Sequence, residues 1–166
     1  MTITTDLGAF QSMSADSRVW IFQAERALSQ QEEDYLRTSL KTFTSQWTSH
    51  NRALKANADV FYGCIMIIAL DEDASSGASG CSIDKLTHQI QSLSRELNLD
   101  LMNRTTFYFF KEEKLYGINM HNLSEAIKNG SIDEDALVLD SMIKTTGQIR
   151  NELFKPLKDS WHSRFM

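Results

Sequence analysis

Cys81 lies within Gly77-Ala-Ser-Gly-Cys-Ser82, a run of small residues that leads straight into an amphipathic segment. Glycines at 77 and 80 permit positive φ and let the backbone approach another group closely. The unsatisfied N–H groups of a helix start attract an anion, which makes Gly77, Ser79, Gly80 and Ser82 candidate ligand-binding residues. The same dipole favours the thiolate form of Cys81. A cysteine nucleophile also needs a base and an orienting group, and no histidine is close by in the chain. His162 and Arg164, in Ser160-Trp-His-Ser-Arg-Phe-Met166, would supply a base and a cation if the tail reached the loop. The simpler alternatives are a connector with capping serines and a small cysteine in a tight place.

Other constellations are sparser. Ile67-Ile-Ala-Leu-Asp71-Glu-Asp73 is similar to the start of haloacid-dehalogenase-like phosphatases, where one Asp attacks phosphorus and the next is the acid and base beside Mg²⁺. Asp71 and Asp73 are thus minor metal-ligand candidates, but no partner motif follows in order, and a charged strand exit explains them. His50, His88, His121 and His162 show no metal-ligand spacing. No metal and no cofactor is expected.

The elements that must position these residues follow from apolar periodicity. Val60 to Leu70 carries no charge and predicts one strand buried on both faces. Ile83, Leu86, Ile90, Leu93 and Leu97 recur at spacings of 3 and 4 and predict a helix, capped by Ser79 or Ser82, with Asp84 in its first turn. Arg18 to Gln23 reads as a second covered strand. Ser29-Gln-Gln-Glu32 is a capping-box sequence that opens a helix over 30–48, with Glu33 and Arg37 paired on its wet side. Ser49 to Asp59 reads as a polar connector. Thr105 to Phe110 and Leu115 to Met120 predict a hairpin turning at Lys111-Glu-Glu-Lys114. Asn122 and Gly130 bracket a short helix at 123–129, Ala136 to Leu139 reads as an edge strand, and 141–155 has weaker helical character. Trp161 and Phe165 predict a tail that docks through those two rings and leaves His162 and Arg164 pointing elsewhere.

Composition bounds what this can be. The chain has 166 residues, 42% hydrophobic and 23% charged, which suits one soluble domain able to bury roughly 70% of its unfolded surface. Residues 1–16 read as a flexible lead-in and 17–166 as the globular domain. A net charge of −5 argues against general nucleic-acid binding, and an eleven-residue apolar run is too short to span a membrane. Two cysteines make no disulfide framework, and residues 1–16 show no apolar signal core, so the expected location is the cytoplasm.

Ser17-Arg-Val-Trp-Ile-Phe-Gln23, Ala78-Ser-Gly-Cys-Ser-Ile-Asp84 and Ser160-Trp-His-Ser-Arg-Phe165, in this order, resemble a family of small uncharacterised bacterial proteins often labelled "ABC transporter ATPase". The resemblance runs from about Phe10 onward and implies no catalytic residues. An ATPase of that class needs G-x-x-x-x-G-K-[ST]. Here Gly77 and Gly80 are three apart, Lys85 lies five beyond Gly80, and no Leu-Ser-Gly-Gly-Gln segment occurs. The ATPase label is therefore rejected.

The expected fold is α/β or α+β: a mixed sheet covered by helices, in the order β-α-β-α-β-β-α plus a C-terminal extension. That order matches a thioredoxin-like layout without its Cys-x-x-Cys. The leading functional expectation is a non-catalytic soluble domain binding a partner or a small anion at 77–84. The alternative is a cysteine-dependent enzyme with Cys81 as nucleophile and His162 as base. No nucleic-acid partner is expected, and the sequence allows a homo-oligomer.

Overall fold

A run of apolar residues buried on both faces needs cover from two sides, and the chain folds around that requirement. The computed structural model describes residues 6–72 and 77–166. Strand β1 (Arg18–Gln23) leads to helix α1 (Gln30–Gln46). The capping box is in place: Ser29 Oγ accepts from Glu32 N–H, and the Glu32 carboxylate accepts from Ser29 N–H. Arg26 grips the same carboxylate with two bonds of 3.0 Å and, with that N–H, draws its pKa down to about 2. On the far side of α1, Arg37 joins Glu33 and Asp59 at 2.7 Å each and also donates to the Val60 carbonyl. One guanidinium thus ties α1 to the strand it covers.

After the two-residue ribbon β2 (Thr48–Ser49) and β3 (Arg52–Ala53), the predicted strand 60–70 divides. β4 (Ala56–Phe61) turns at Tyr62 and Gly63, φ +53° and +65°, into β5 (Ile65–Leu70). Cys64 N–H closes the turn on the Phe61 carbonyl at 3.2 Å. Two successive left-handed residues give a turn whose twist suits a hairpin. The polar stretch 49–59 is therefore half strand: Ala58 and Val60 face the core while Asn57 and Asp59 alternate outward. All six residues of β5 are buried, and the sheet order is β1-β5-β4.

Helix α2 (Gly80–Leu97) starts where expected, with Ser79 Oγ accepting from Ser82 N–H at 3.2 Å. Starting at Gly80, it places Asp84 beyond the first turn. It stops at Asn98, φ +49°, a left-handed cap. Leu86, Ile90 and Leu93 join the main core, and the buried Trp47 indole donates to the Ser82 carbonyl at 2.9 Å.

The second sheet has the order β7-β6-β8-β9, built from β6 (Thr106–Lys111), β7 (Lys114–Asn119), β8 (Leu137–Leu139) and β9 (Phe154–Pro156). Between these strands run α3 (Leu123–Lys128) and α4 (Thr146–Glu152). The 106–119 hairpin is as expected. α3 follows too, but Asn122 makes no side-chain cap, and Asn119 instead caps the 3₁₀ turn Met120–Asn122. β8 is interior rather than an edge, since β9 pairs outside it.

β6 is apolar on both faces because each meets a different core. Tyr108 and Phe110 join the main cluster, while Phe107 and Phe109 face a second one with Leu123, Ile132, Val138 and Leu157. A triad of rings, Tyr62, Phe110 and Phe154, with centroids 4.7–5.5 Å apart, clasps the 62–63 turn to this sheet.

The sequence order of helices and strands is broadly the predicted α/β mixture, but every pairing among the described residues is antiparallel rather than mixed. Leu7 to Asp16 is also no loose lead-in. Phe10 is buried against Phe61, and the Asn57 side chain donates to the Ala9 carbonyl at 2.6 Å. The outer side of β1 is stitched to residues 144–147: Val19 N–H to Lys144 O, Thr146 N–H to Ser17 O, and Gly147 N–H to Ala15 O.

Candidate functional site

β1 ends against β6, and the join leaves a cleft. Gln23 Nε2 donates to the Thr106 carbonyl at 2.7 Å, and the Tyr108 hydroxyl donates to the Ala24 carbonyl at 2.6 Å. Asn103 N–H adds a bond to the Gln23 carbonyl. These ties fix the walls around an open cavity of about 350 Å³. Ile21, Phe22, Phe107 and Leu139 give it apolar sides, with Met102, Met120 and Met142 around them. Trp161 and Met142 are substantially exposed at its rim. The volume is at the small end of the range typical of small-molecule sites.

The tail closes one side, and it docks through Phe165 as predicted but with His162 in the place expected for Trp161. The segment Trp161–Phe165 is a 3₁₀ helix, whose three-residue turn aligns His162 with Phe165. His162 is therefore the buried residue, 5% exposed and edge-on to Phe107 at 4.9 Å, while Trp161 stands 37% exposed. Arg164 lies over the Trp161 ring at 4.8 Å, a cation–π contact that holds the indole as a fixed plate.

The His162 tautomer follows from its neighbours. Ser160 Oγ gives its one proton to the Leu157 carbonyl at 2.9 Å and accepts from His162 N–H at 3.1 Å. With the Ser160 proton on that shorter bond, Nδ1, 3.2 Å from the same oxygen, is the donor. Nε2 is left with a lone pair and, among the described residues, no protein partner. Burial pushes the ring pKa down to about 4, Asp140 opposes that shift and Arg164 adds to it, so the imidazole is neutral near pH 7.

Most polar groups of the wall are already engaged: the Asn103 carbonyl oxygen takes two backbone N–H groups, and Thr106 Oγ1 donates to the Glu25 carbonyl. The groups without a protein partner among the described residues are His162 Nε2, Gln23 Oε1, the Ser141 hydroxyl, the Trp161 indole N–H and the Arg104 guanidinium.

The other nominated residues lie elsewhere. Gly77 takes φ +79°, and Ser79 and Ser82 bond each other, Ser82 Oγ donating to Ser79 O at 2.8 Å. Gly80 is the first residue of α2, and Cys81 is exposed on it. His162 turns toward Ser160, Phe107 and Trp161, and the cleft it lines takes no wall from 77–84. The Cys81–His162 pair of the enzyme alternative is thus not assembled. Asp71 is buried with Lys55 Nζ at 3.6 Å, and Asp73 lies outside the described residues. Among the described residues no group of three His, Cys, Asp or Glu side chains could hold a metal ion.

No family model, curated protein or solved structure matches this chain. Its site must be read from geometry alone.

Arg104, Gln23 and Ser141 carry no motif, and Arg104 follows a stretch, Leu99 to Asn103, that reads only as a connection. Their convergence depends on pairings between residues some 80 positions apart, such as Gln23 with Thr106, which no local pattern reveals.

Proposed function

We propose that this chain is a non-catalytic binding domain whose ligand is a small molecule held between the end of β1, β6 and the C-terminal 3₁₀ turn. The observation that carries this reading is the His162 ring, 5% exposed in the cleft wall, whose Nε2 has no protein partner among the described residues. Among the described residues Ser17 Oγ is the one buried side-chain polar atom without a partner, so Nε2 is open to solvent, and a ligand donor can take the place of water there. The family resemblance of the three quoted segments belongs to this proposal, and it implies no catalytic residues. A cytoplasmic setting suits it, since Cys64 and Cys81 are both free thiols. Among the described residues no helix is long and apolar enough to cross a membrane.

Fragment screening by two-dimensional NMR tests this reading. Ligands should move the indole N–H signal of Trp161 and leave those of Trp20 and Trp47 in place. Ser141→Trp, a change at an exposed position on the cleft wall, should abolish the effect. Shifts confined to Ser79–Asp84 would instead support an anion site at the start of α2 and overturn the cleft reading.

A further inference from the structure

We infer that the cleft selects a small planar ligand carrying an acid group for Arg104 and an N–H or O–H donor for His162 Nε2. This rests on the cleft being the binding site. Among the described residues Arg104 is the only charged one on the wall, and none of them brings a carboxylate to the cavity. In a chain of net charge −5, Arg26 pairs with Glu32, Arg37 with Glu33 and Asp59, and Arg18 lies 3.9 Å from Glu72, while Arg52, Arg95, Arg150 and Arg164 make no ion pair among the described residues. Arg104 makes no ion pair among the described residues. A ligand cation would meet that charge with nothing to offset it, whereas a carboxylate or phosphate meets a forked donor.

Inside the cleft the requirement is the reverse. His162 Nε2 and Gln23 Oε1 are both acceptors, the latter oriented by the amide nitrogen's bond to Thr106 O. Two acceptors in the lining match a ligand donor, while the Trp161 indole N–H and the Ser141 hydroxyl are left for an acceptor elsewhere on the same ligand. Trp161 meets the His162 ring at 3.8 Å and Arg164 at 4.8 Å and keeps an exposed part at the lip, an aromatic contact that favours a planar body.

Four probes of one shape separate these demands. Indole-3-acetate has both groups, 1-benzothiophene-3-acetate keeps the acid but replaces the N–H with sulfur, indole keeps only the donor, and 1-benzothiophene has neither. Dissociation constants from the Trp161 signal should rise about tenfold for each group removed. Arg104→Gln, at an exposed position, should erase the benefit of the acid and leave that of the N–H. Four equal constants would overturn this inference while the cleft reading stands. An acid benefit that survives Arg104→Gln would overturn the assignment of Arg104. Failure of all four to move Trp161 at millimolar concentration would remove the cleft reading as well.

Discussion

Acidification from pH 7 to pH 4 should destabilise this protein through His162, and the size of that effect can be worked out. Burial holds the folded-state pKa near 4, against an ordinary value of 6.5. The charged groups facing the ring are Asp140, which opposes the shift, and Arg164, which adds to it; Asp140 is itself paired with Lys155 at 2.8 Å. Because the folded pKa is depressed, the unfolded chain binds the proton first as pH falls. The contribution is complete above about pH 6.5, shrinks between 6.5 and 4, and is gone below 4. One proton is worth up to about 1.4 kcal/mol per pH unit, or roughly 3 kcal/mol over that window. Solvent in the cleft screens the charged form, so a loss of about 1–2 kcal/mol is expected. The assay is urea unfolding at half-unit pH steps for the wild type and His162→Gln, with the His162 ring followed by NMR. The variant loses packing at every pH, so the slope and not the absolute stability is compared. Parallel slopes, or a ring titrating near 6.5, would refute the buried neutral imidazole.

Other perturbations read other parts of the fold. Alkylation of the native protein should give one adduct, at the exposed Cys81, and the second only on unfolding, because burial pushes the Cys64 thiol up to about 12; two adducts at similar rates by mass spectrometry would contradict this. Glu112 and Glu113 both sit at positive φ, +49° and +63°, in the β6–β7 turn, so replacing them with Asn-Gly should add about 1 kcal/mol to the unfolding free energy. Trp47→Phe removes the buried donor to the Ser82 carbonyl and should lower stability by about 1–3 kcal/mol in the same denaturation assay. Deleting Ser160–Met166 uncovers Phe107 and should lower the melting temperature by several degrees, whereas an unchanged melt would mean the tail is not part of the core.

What the chain disclosed in advance was local. The Ser29–Glu32 box and the 3-and-4 spacing of α2 act over a few residues, and each stands where the sequence puts it. The 60–70 run misleads because both of its halves are apolar, so no charge marks the break, and tyrosine is not a residue that announces a left-handed turn. The tail misleads because spacing of four was read as an α-helical face, while the 3₁₀ turn repeats every three. The cleft was out of reach for a different reason: its walls come from five separate segments, each of them ordinary on its own.

The stitching of β1 to residues 144–147 has a consequence for how this protein is made. β1 can pair with β5 once the first half of the chain has emerged from the ribosome. Its other side waits for partners far along the chain: Thr146 Oγ1 bonds the Ser14 carbonyl across 132 residues. At a synthesis rate of about 5–20 residues per second, that edge stays open for several seconds on each nascent chain. An open strand edge carrying Val19, Ile21 and Phe22 is a template for pairing with a neighbouring chain. Crowded expression should therefore drive this protein into aggregates through β1. Slowing initiation, so that fewer half-made chains share a message, should raise its yield more than lowering the temperature of the finished fold.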